Sequence, residues 1–173
     1  MHDMQIRRLS PTDAILYREL RLEALRLAPD AFSSTFAVEN AEPLTWFADR
    51  LERSAVFGAF GGEELQGIAA FLARPGQKEA HKGVLVGMYV RPDVRNAGIG
   101  RRLAEAVIEH ARREVEILQL SVVAGNEPAR RLYTSLGFVE YGLEKNALKV
   151  NGCYWDEVLM AKPLVPVDRI GPP

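Results

Sequence analysis

Residues 88–103, Met-Tyr-Val-Arg-Pro-Asp-Val-Arg-Asn-Ala-Gly-Ile-Gly-Arg-Arg-Leu, constrain this chain more than any other stretch. They read as the end of a strand, a turn, a glycine-bearing loop and the first turn of a helix. A helix N-terminus offers unpaired backbone N–H groups and a partial positive charge. Gly98 and Gly100 carry no side chain, so a ligand can approach that backbone closely. Arg95, Arg101 and Arg102 add formal charge beside it. The parts make a site for a phosphate or pyrophosphate. A nucleotide P-loop is excluded, because no GxxxxGK run followed by Ser or Thr occurs. A dinucleotide fingerprint fits poorly. Leu103 stands where the third glycine or alanine belongs, and the loop after Val90 is long for that motif.

A second stretch, residues 121–138, again runs strand, cap, helix, strand. Asn126 is a good N-cap and Pro128 suits a first helical turn. Ala129, Leu132, Tyr133 and Leu136 share one helical face, Gly137 ends the helix and Phe138 begins the next strand. The first pattern, Arg95-x-x-Gly98-x-Gly100 after a strand ending in Tyr-Val, resembles the acetyl-CoA pyrophosphate loop of the GNAT superfamily of acyl-CoA N-acyltransferases. The second, Asn-x-x-Ala-x-x-Leu-Tyr-x-x-x-Gly-Phe, resembles the second cofactor motif of the same superfamily. The resemblance spans residues 4–163 and is specific at 84–103 and 121–138. It implies acetyl-CoA as co-substrate, held by Met88, Tyr89, Val90, Arg95, Asn96, Ala97, Gly98, Ile99, Gly100 and Arg101. It further implies that Asn126 binds the pantetheine arm and that Tyr133 lies near the thioester sulfur. Read without the first motif, Tyr133 is a packed core aromatic on an amphipathic helix before it is anything else.

The order of elements supports a mixed sheet. A short strand at Met4–Arg8 precedes a helix running to Leu27, with Ile15, Leu16, Leu20 and Leu27 among its apolar positions. A loop then leads to a short helix over Pro43–Arg53. Ala55–Phe60 and Leu65–Ala73 form a hairpin about Gly61-Gly62. From Val84 the pattern alternates. Strand Val84–Val90 leads to helix Ile99–Arg113, strand Ile117–Val123, helix Pro128–Leu136, strand Phe138–Leu143 and strand Tyr154–Met160. Early hairpins followed by strand–helix–strand predict an α/β mixed sheet with helices on both faces. The resemblance adds that the sheet is mostly antiparallel with a splayed strand pair. The 173 residues are read as one domain with a core at 4–163 and a short Pro-rich tail.

Composition narrows the partners. The formal net charge is −1, so no global field draws the protein to nucleic acid or an acidic membrane. The single cysteine, Cys153, rules out an intramolecular disulfide and fits a cytoplasmic protein. No leader-like segment and no apolar run long enough to span a bilayer is present in the sequence. Three scattered histidines give no metal-ligand spacing, so no metal is expected.

The resemblance implies direct attack of an amine on the thioester, with no covalent enzyme intermediate. Tyr133 is then the expected general acid for the departing thiolate. Many members of the superfamily carry a Glu on the strand before the loop. Here that strand reads Gly-Val-Leu-Val-Gly-Met over residues 83–88, without a carboxylate. Glu39, Glu42, Asp156 and Glu157 are base candidates by residue type alone. Cys153 as a nucleophile is disfavoured, having no histidine near it in sequence. Acceptor specificity is expected from residues 31–39, with Phe32, Ser34, Phe36 and Glu39 as contacts, and from 144–154. The alternative for Phe32 and Phe36 is burial in the core. The expected acceptor is a small-molecule amine, with a protein N-terminus or lysine as the alternative. A CoA-binding module without catalysis is the competing class. The expected assembly is a monomer or homodimer, with preference for the dimer.

Overall fold

The computed structural model describes residues 4–166. Seven strands make one sheet in the order β1-β2-β3-β4-β5-β7-β6. They are β1 (Met4–Arg8), β2 (Ala55–Gly61), β3 (Glu64–Ala73), β4 (Lys82–Val90), β5 (Ile117–Val123), β6 (Val139–Val150) and β7 (Cys153–Pro163). The helices are α1 (Ala14–Leu27), α2 (Phe36–Asn40), α3 (Leu44–Arg53), α4 (Ile99–Ala111) and α5 (Glu127–Ser135). All neighbouring strands run antiparallel except β4 and β5. The mixed, mostly antiparallel sheet with helices on both faces is as expected.

Each face has its own core. Ile99, Leu103, Ala104, Val107, Ile108 and Ala111 of α4 are all buried. That spacing is a single helical stripe, and it packs on Ala59, Ala69, Phe71, Leu85 and Leu118 of the sheet. The opposite face takes α1 and α3 through Tyr17, Leu20, Leu25, Phe47 and Leu51, against Val56, Leu65 and Ile68. Each Leu, Ile, Val or Phe side chain so removed from water contributes about 1.5–3 kcal/mol, and each alanine less.

Three local expectations are corrected. The stripe of α1 is Tyr17, Leu20, Ala24 and Leu25, while Ile15 and Leu27 lie on the solvent side. The segment expected to be a loop before α3 contains α2, one turn started by the Thr35 hydroxyl accepting from the Val38 N–H at 3.3 Å. The last hairpin is longer than expected at both strands. It closes through Asn151-Gly152, both with positive φ, the turn conformation matched to strand twist. Cys153 sits exposed beside that turn.

Candidate active site

β4 and β5 are paired only over Lys82–Val84 with Ile117–Gln119. Beyond that point β5 follows β7 along its whole length, and β4 follows β3. Two features of β4 drive the parting. Its register with β3 slips between Ile68 and Ala70, placing an extra residue in β4 opposite them. Gly87 takes the bulge conformation at φ 65°, in open space where a side chain would approach only Arg21. The result is a cleft of about 120 Å³ lined by Leu85–Met88 from β4, Ser121–Val123 from β5, and Asn126, Ala129 and Tyr133 at α5. The backbone of β4 from Leu85 to Val90 therefore presents an edge without a strand partner inside the sheet.

At the end of that edge lies the glycine loop. Gly98 is the N-cap of α4 in the left-handed region at φ 77°, and Asn96 is left-handed at φ 66°. The first N–H of α4 to find a helical acceptor is that of Arg102, which donates to Gly98 O at 3.1 Å. The N–H groups of Ile99, Gly100 and Arg101 point toward the loop mouth as orphan donors. A Cβ on Gly100 would meet only ordinary contacts, 3.5 Å to Leu132 and 4.0 Å to Val90. Packing therefore does not demand glycine at position 100, and the bare backbone there leaves room for close approach from the loop side. Arg95 is exposed, and its Nε donates to Val90 O at 3.0 Å across the mouth. The Arg101 side chain is engaged instead with Glu105 at 3.1 Å and Ser135 at 2.9 Å, leaving its backbone N–H as its contribution. Orphan N–H groups, an arginine and a side-chain-free backbone form a donor set that fits a pyrophosphate.

The second motif closes the other wall. Asn126 caps α5, its Oδ1 accepting from the Ala129 N–H at 3.3 Å, and it lines the cleft. Gly137, at φ 91°, turns the chain so that the Phe138 N–H donates to Tyr133 O at 3.0 Å. Phe138 then packs edge-on against Tyr133 with ring centroids 5.8 Å apart. Tyr133 is 5% exposed, and its hydroxyl has no hydrogen-bond partner among the described residues. Burial pushes the Tyr133 phenol well above its usual range, so it remains a neutral donor at physiological pH. Tyr89, the tyrosine of the first motif, faces away. Its hydroxyl donates to Glu23 at 3.0 Å, and burial together with that carboxylate pushes its pKa up to about 12. Arg91 bridges Glu23 and Glu64 on the same side. Tyr89 thus offers the cleft its backbone only.

The structure sorts the carboxylates that the sequence left equivalent. Glu39 is 2% exposed and accepts from Arg21 at 2.9 and 2.7 Å, with Arg50 at 3.5 Å. Burial pushes its pKa up, but Arg21 outweighs this and holds it below the usual carboxylate range. Phe32 is buried beneath the same guanidinium, 4.8 Å from its ring centroid. Phe36 is partly buried on the α1 side. Of the four expected acceptor contacts, Glu39 and Phe32 join Arg21 in a clamp that holds α2 on α1, and Phe36 lies against Arg26 of the same helix. Asp156 is occupied too, accepting from the Asn146 N–H at 2.8 Å within a β6 bulge. Glu42 follows α2 and does not line the cleft. Glu157 does line it, together with Asp30 from the turn after α1. Asp30 and Ser121 were not singled out from sequence. Ser121 lies in the strand leading to the Asn126 motif, a signal that was available, whereas nothing local marks Asp30.

A sheet parted beside a helix start with unpaired N–H groups has the shape and the donors to suit a long, thin ligand with a phosphate head. Comparison with known proteins gives that arrangement its family. Residues 21–138 match the acetyltransferase (GNAT) family, and the chain belongs to it. It is similar to the [ribosomal protein bS18]-alanine N-acetyltransferases of Escherichia coli (strain K12) and Salmonella typhimurium, 36% identical to each over 84 residues. That alignment covers 48% of this chain and 57% of each relative, so the chain spans little more than half the length of the curated relatives it matches. Among solved structures, an acetyltransferase of the GNAT family from Streptococcus pneumoniae superposes with TM-score 0.83 at 25% identity, covering 93% of this chain and 99% of that one. A ribosomal-protein-alanine N-acetyltransferase from Brucella melitensis gives 0.79 at 28% identity, covering 92% and 99%. The fold is also that of yncA from Salmonella typhimurium, solved with its cofactor acetyl-CoA, at TM-score 0.80 and 23% identity over 95% and 96% of the two chains. Among the described residues no group of side chains is disposed to hold a metal, and no helix is long and apolar enough to cross a membrane.

Proposed function

We propose that this protein transfers the acetyl group of acetyl-CoA to a primary amine by direct attack within a ternary complex. The observation that carries the reading is the internal edge of β4, opened opposite the orphan N–H groups of α4. The backbone of Met88, Tyr89 and Val90 would hold the pantetheine, as a strand partner would. The backbone of Asn96–Arg101 and the Arg95 guanidinium would hold the pyrophosphate, and Asn126 the pantetheine arm. A backbone N–H at Met88 or Val90 would stabilise charge on the thioester oxygen.

Tyr133 is the residue for the sulfur. A thiol has a pKa near ~8.5 and a phenol near ~10, so full proton transfer from tyrosine to thiolate is uphill by about 2 kcal/mol before burial adds more. Tyr133 therefore acts first as a hydrogen-bond donor that burial keeps protonated, and completes the transfer as the thiol departs. A lone cysteine and an acetyl-CoA co-substrate suit a cytoplasmic setting.

The compact cleft favours a small-molecule amine. The names of the relatives favour a second reading, in which the acceptor is the α-amino group of a protein. Calorimetry with acetyl-CoA, followed by a thiol-release screen of small amines and N-terminal peptides, tests both. Acetyl-CoA binding without turnover of any amine would favour a CoA-binding module instead.

A further inference from the structure

Glu144 of β6 and Glu157 of β7 are direct partners in the antiparallel ladder. Directly opposed residues project from the same face of a sheet, and like charges there repel. Among the described residues neither carboxylate has an ion-pair partner, whereas Asp13, Glu23, Glu39, Glu127 and Glu140 each pair with an arginine. Glu157 lines the cleft between β4 and β5, and Asp30 lines it from the turn after α1. Tyr133, buried and with a partnerless hydroxyl, lines the same cleft from α5. The wall from β5 is uncharged at Ser121, Val122 and Val123. The nearest cation toward the bulge, Arg21, is neutralised by Glu39. The cleft thus holds unbalanced negative charge on one side of a hydroxyl that itself lacks a partner.

We propose that Glu157 is the proton acceptor for the incoming amine, that Glu144 and Asp30 hold its charge, and that the acceptor is therefore a cationic amine. This rests on the acetyltransfer reading above and names the chemistry on its acceptor side. The ammonium gives one proton to the Glu157 carboxylate, and the freed lone pair forms the C–N bond to the acetyl carbon. The C–S bond breaks and its electron pair stays on sulfur. The nitrogen loses its second proton and the sulfur gains one through Tyr133, so a neutral amide and a neutral thiol leave. Glu157 returns its proton to solvent. A lysine-like amine is almost wholly protonated at pH 7, so the reaction needs an acceptor beside the nitrogen for the proton that leaves as the C–N bond forms, and the Glu157 carboxylate is that acceptor.

The test compares wild type, Glu157→Gln and Glu144→Gln, with spermidine and an alanyl tripeptide as cationic probes and acetyl-CoA binding measured separately by calorimetry. Glu157→Gln should leave acetyl-CoA affinity unchanged and lower kcat/KM at pH 7 by about 10²-fold or more. The deficit should shrink as pH rises toward the pKa of the amine, where the substrate deprotonates itself. Glu144→Gln should raise KM about 2–5-fold with kcat little changed. A Glu157→Gln deficit that is absent or independent of pH overturns the base assignment, and an unmoved KM in Glu144→Gln overturns the charge-holding role. A wild type that binds acetyl-CoA but acetylates neither probe overturns the cationic-acceptor inference alone. Failure to bind acetyl-CoA overturns the acetyltransfer reading beneath it.

Discussion

Replacing Gly100 with alanine should move stability and cofactor affinity in opposite directions. Gly100 is the second residue of α4, has ordinary helical backbone, and a Cβ there would contact Leu132 at 3.5 Å and Val90 at 4.0 Å without overlap. Glycine in a helix is less stable than alanine by roughly 0.5–1 kcal/mol, and a first-turn position belongs at the lower end. For a domain of this size about 0.5 kcal/mol corresponds to a rise in Tm of about 1–2 °C. The same methyl group would stand where a phosphate oxygen meets the N–H groups of residues 99–101. Losing one hydrogen bond to a charged group costs about 1.5–3 kcal/mol, which is about a 10- to 150-fold weaker Kd. Differential scanning fluorimetry without ligand and titration calorimetry with acetyl-CoA read the two effects separately. Gly98→Ala is the contrasting variant. At φ 77° it should destabilise the protein, so its loss of affinity would be ambiguous. If Gly100→Ala binds acetyl-CoA as tightly as wild type, the helix start is not the phosphate site.

Four further outcomes are expected. Tyr133→Phe should leave stability within about 0.5 kcal/mol, because the hydroxyl has no protein partner, while slowing single-turnover acetyl transfer by about 10²-fold; a wild-type rate in that assay would return Tyr133 to a packing role. Glu39→Ala leaves Arg21 buried without a counter-charge and should cost about 3–5 kcal/mol in urea unfolding; a loss below about 1 kcal/mol would contradict the clamp. Asp13 is held at a pKa of about 2, chiefly by Arg7 with donors 2.8 and 2.7 Å away, against an ordinary 3.8. Its stabilisation is therefore complete above pH 4 and lost as pH falls toward 2, about 1–2 kcal/mol once the partial exposure of Arg7 is allowed for, and Asp13→Asn should flatten the stability curve across that window. Light scattering should find a monomer or homodimer, and a tetramer would refute that expectation.

What could be read from sequence divides along a physical line. α4, β5 and α5 were legible because their information is local. A complete apolar stripe, an alternating strand and a cap with a left-handed glycine stop each lie within a dozen residues. The loop-and-helix form of the two glycine-bearing motifs was legible for the same reason, being continuous in the chain. The clamp was not, because Arg21 and Glu39 are 18 residues apart and meet only after α1 and α2 fold. Phe32, Ser34 and Glu39 have the composition of a binding loop, and the arginine that engages Phe32 and Glu39 lies outside it. The choice between Asp156 and Glu157 was closed to sequence altogether. Adjacent strand residues face opposite sides, and a one-residue change of register exchanges them. Only the pairing of Val123 with Glu157 fixes which carboxylate reaches the cleft.

The parting of β4 from β5 has a consequence for how the protein keeps to itself. Unpaired strand backbone at the rim of a sheet invites strands from other molecules, and proteins usually blunt it with charge or proline. Here a comparable length of unpaired backbone is flanked on both sides by the protein's own strands, where an approaching polypeptide cannot lie flat against it. A slender chain carrying amides can enter. Such a molecule would serve as an eighth, non-peptide strand, and its occupancy would be written into the folding equilibrium. At a free concentration 100 times its Kd it would add about 2.7 kcal/mol. The resistance of this fold to unfolding would then rise and fall with the metabolic supply of the molecule that completes its sheet.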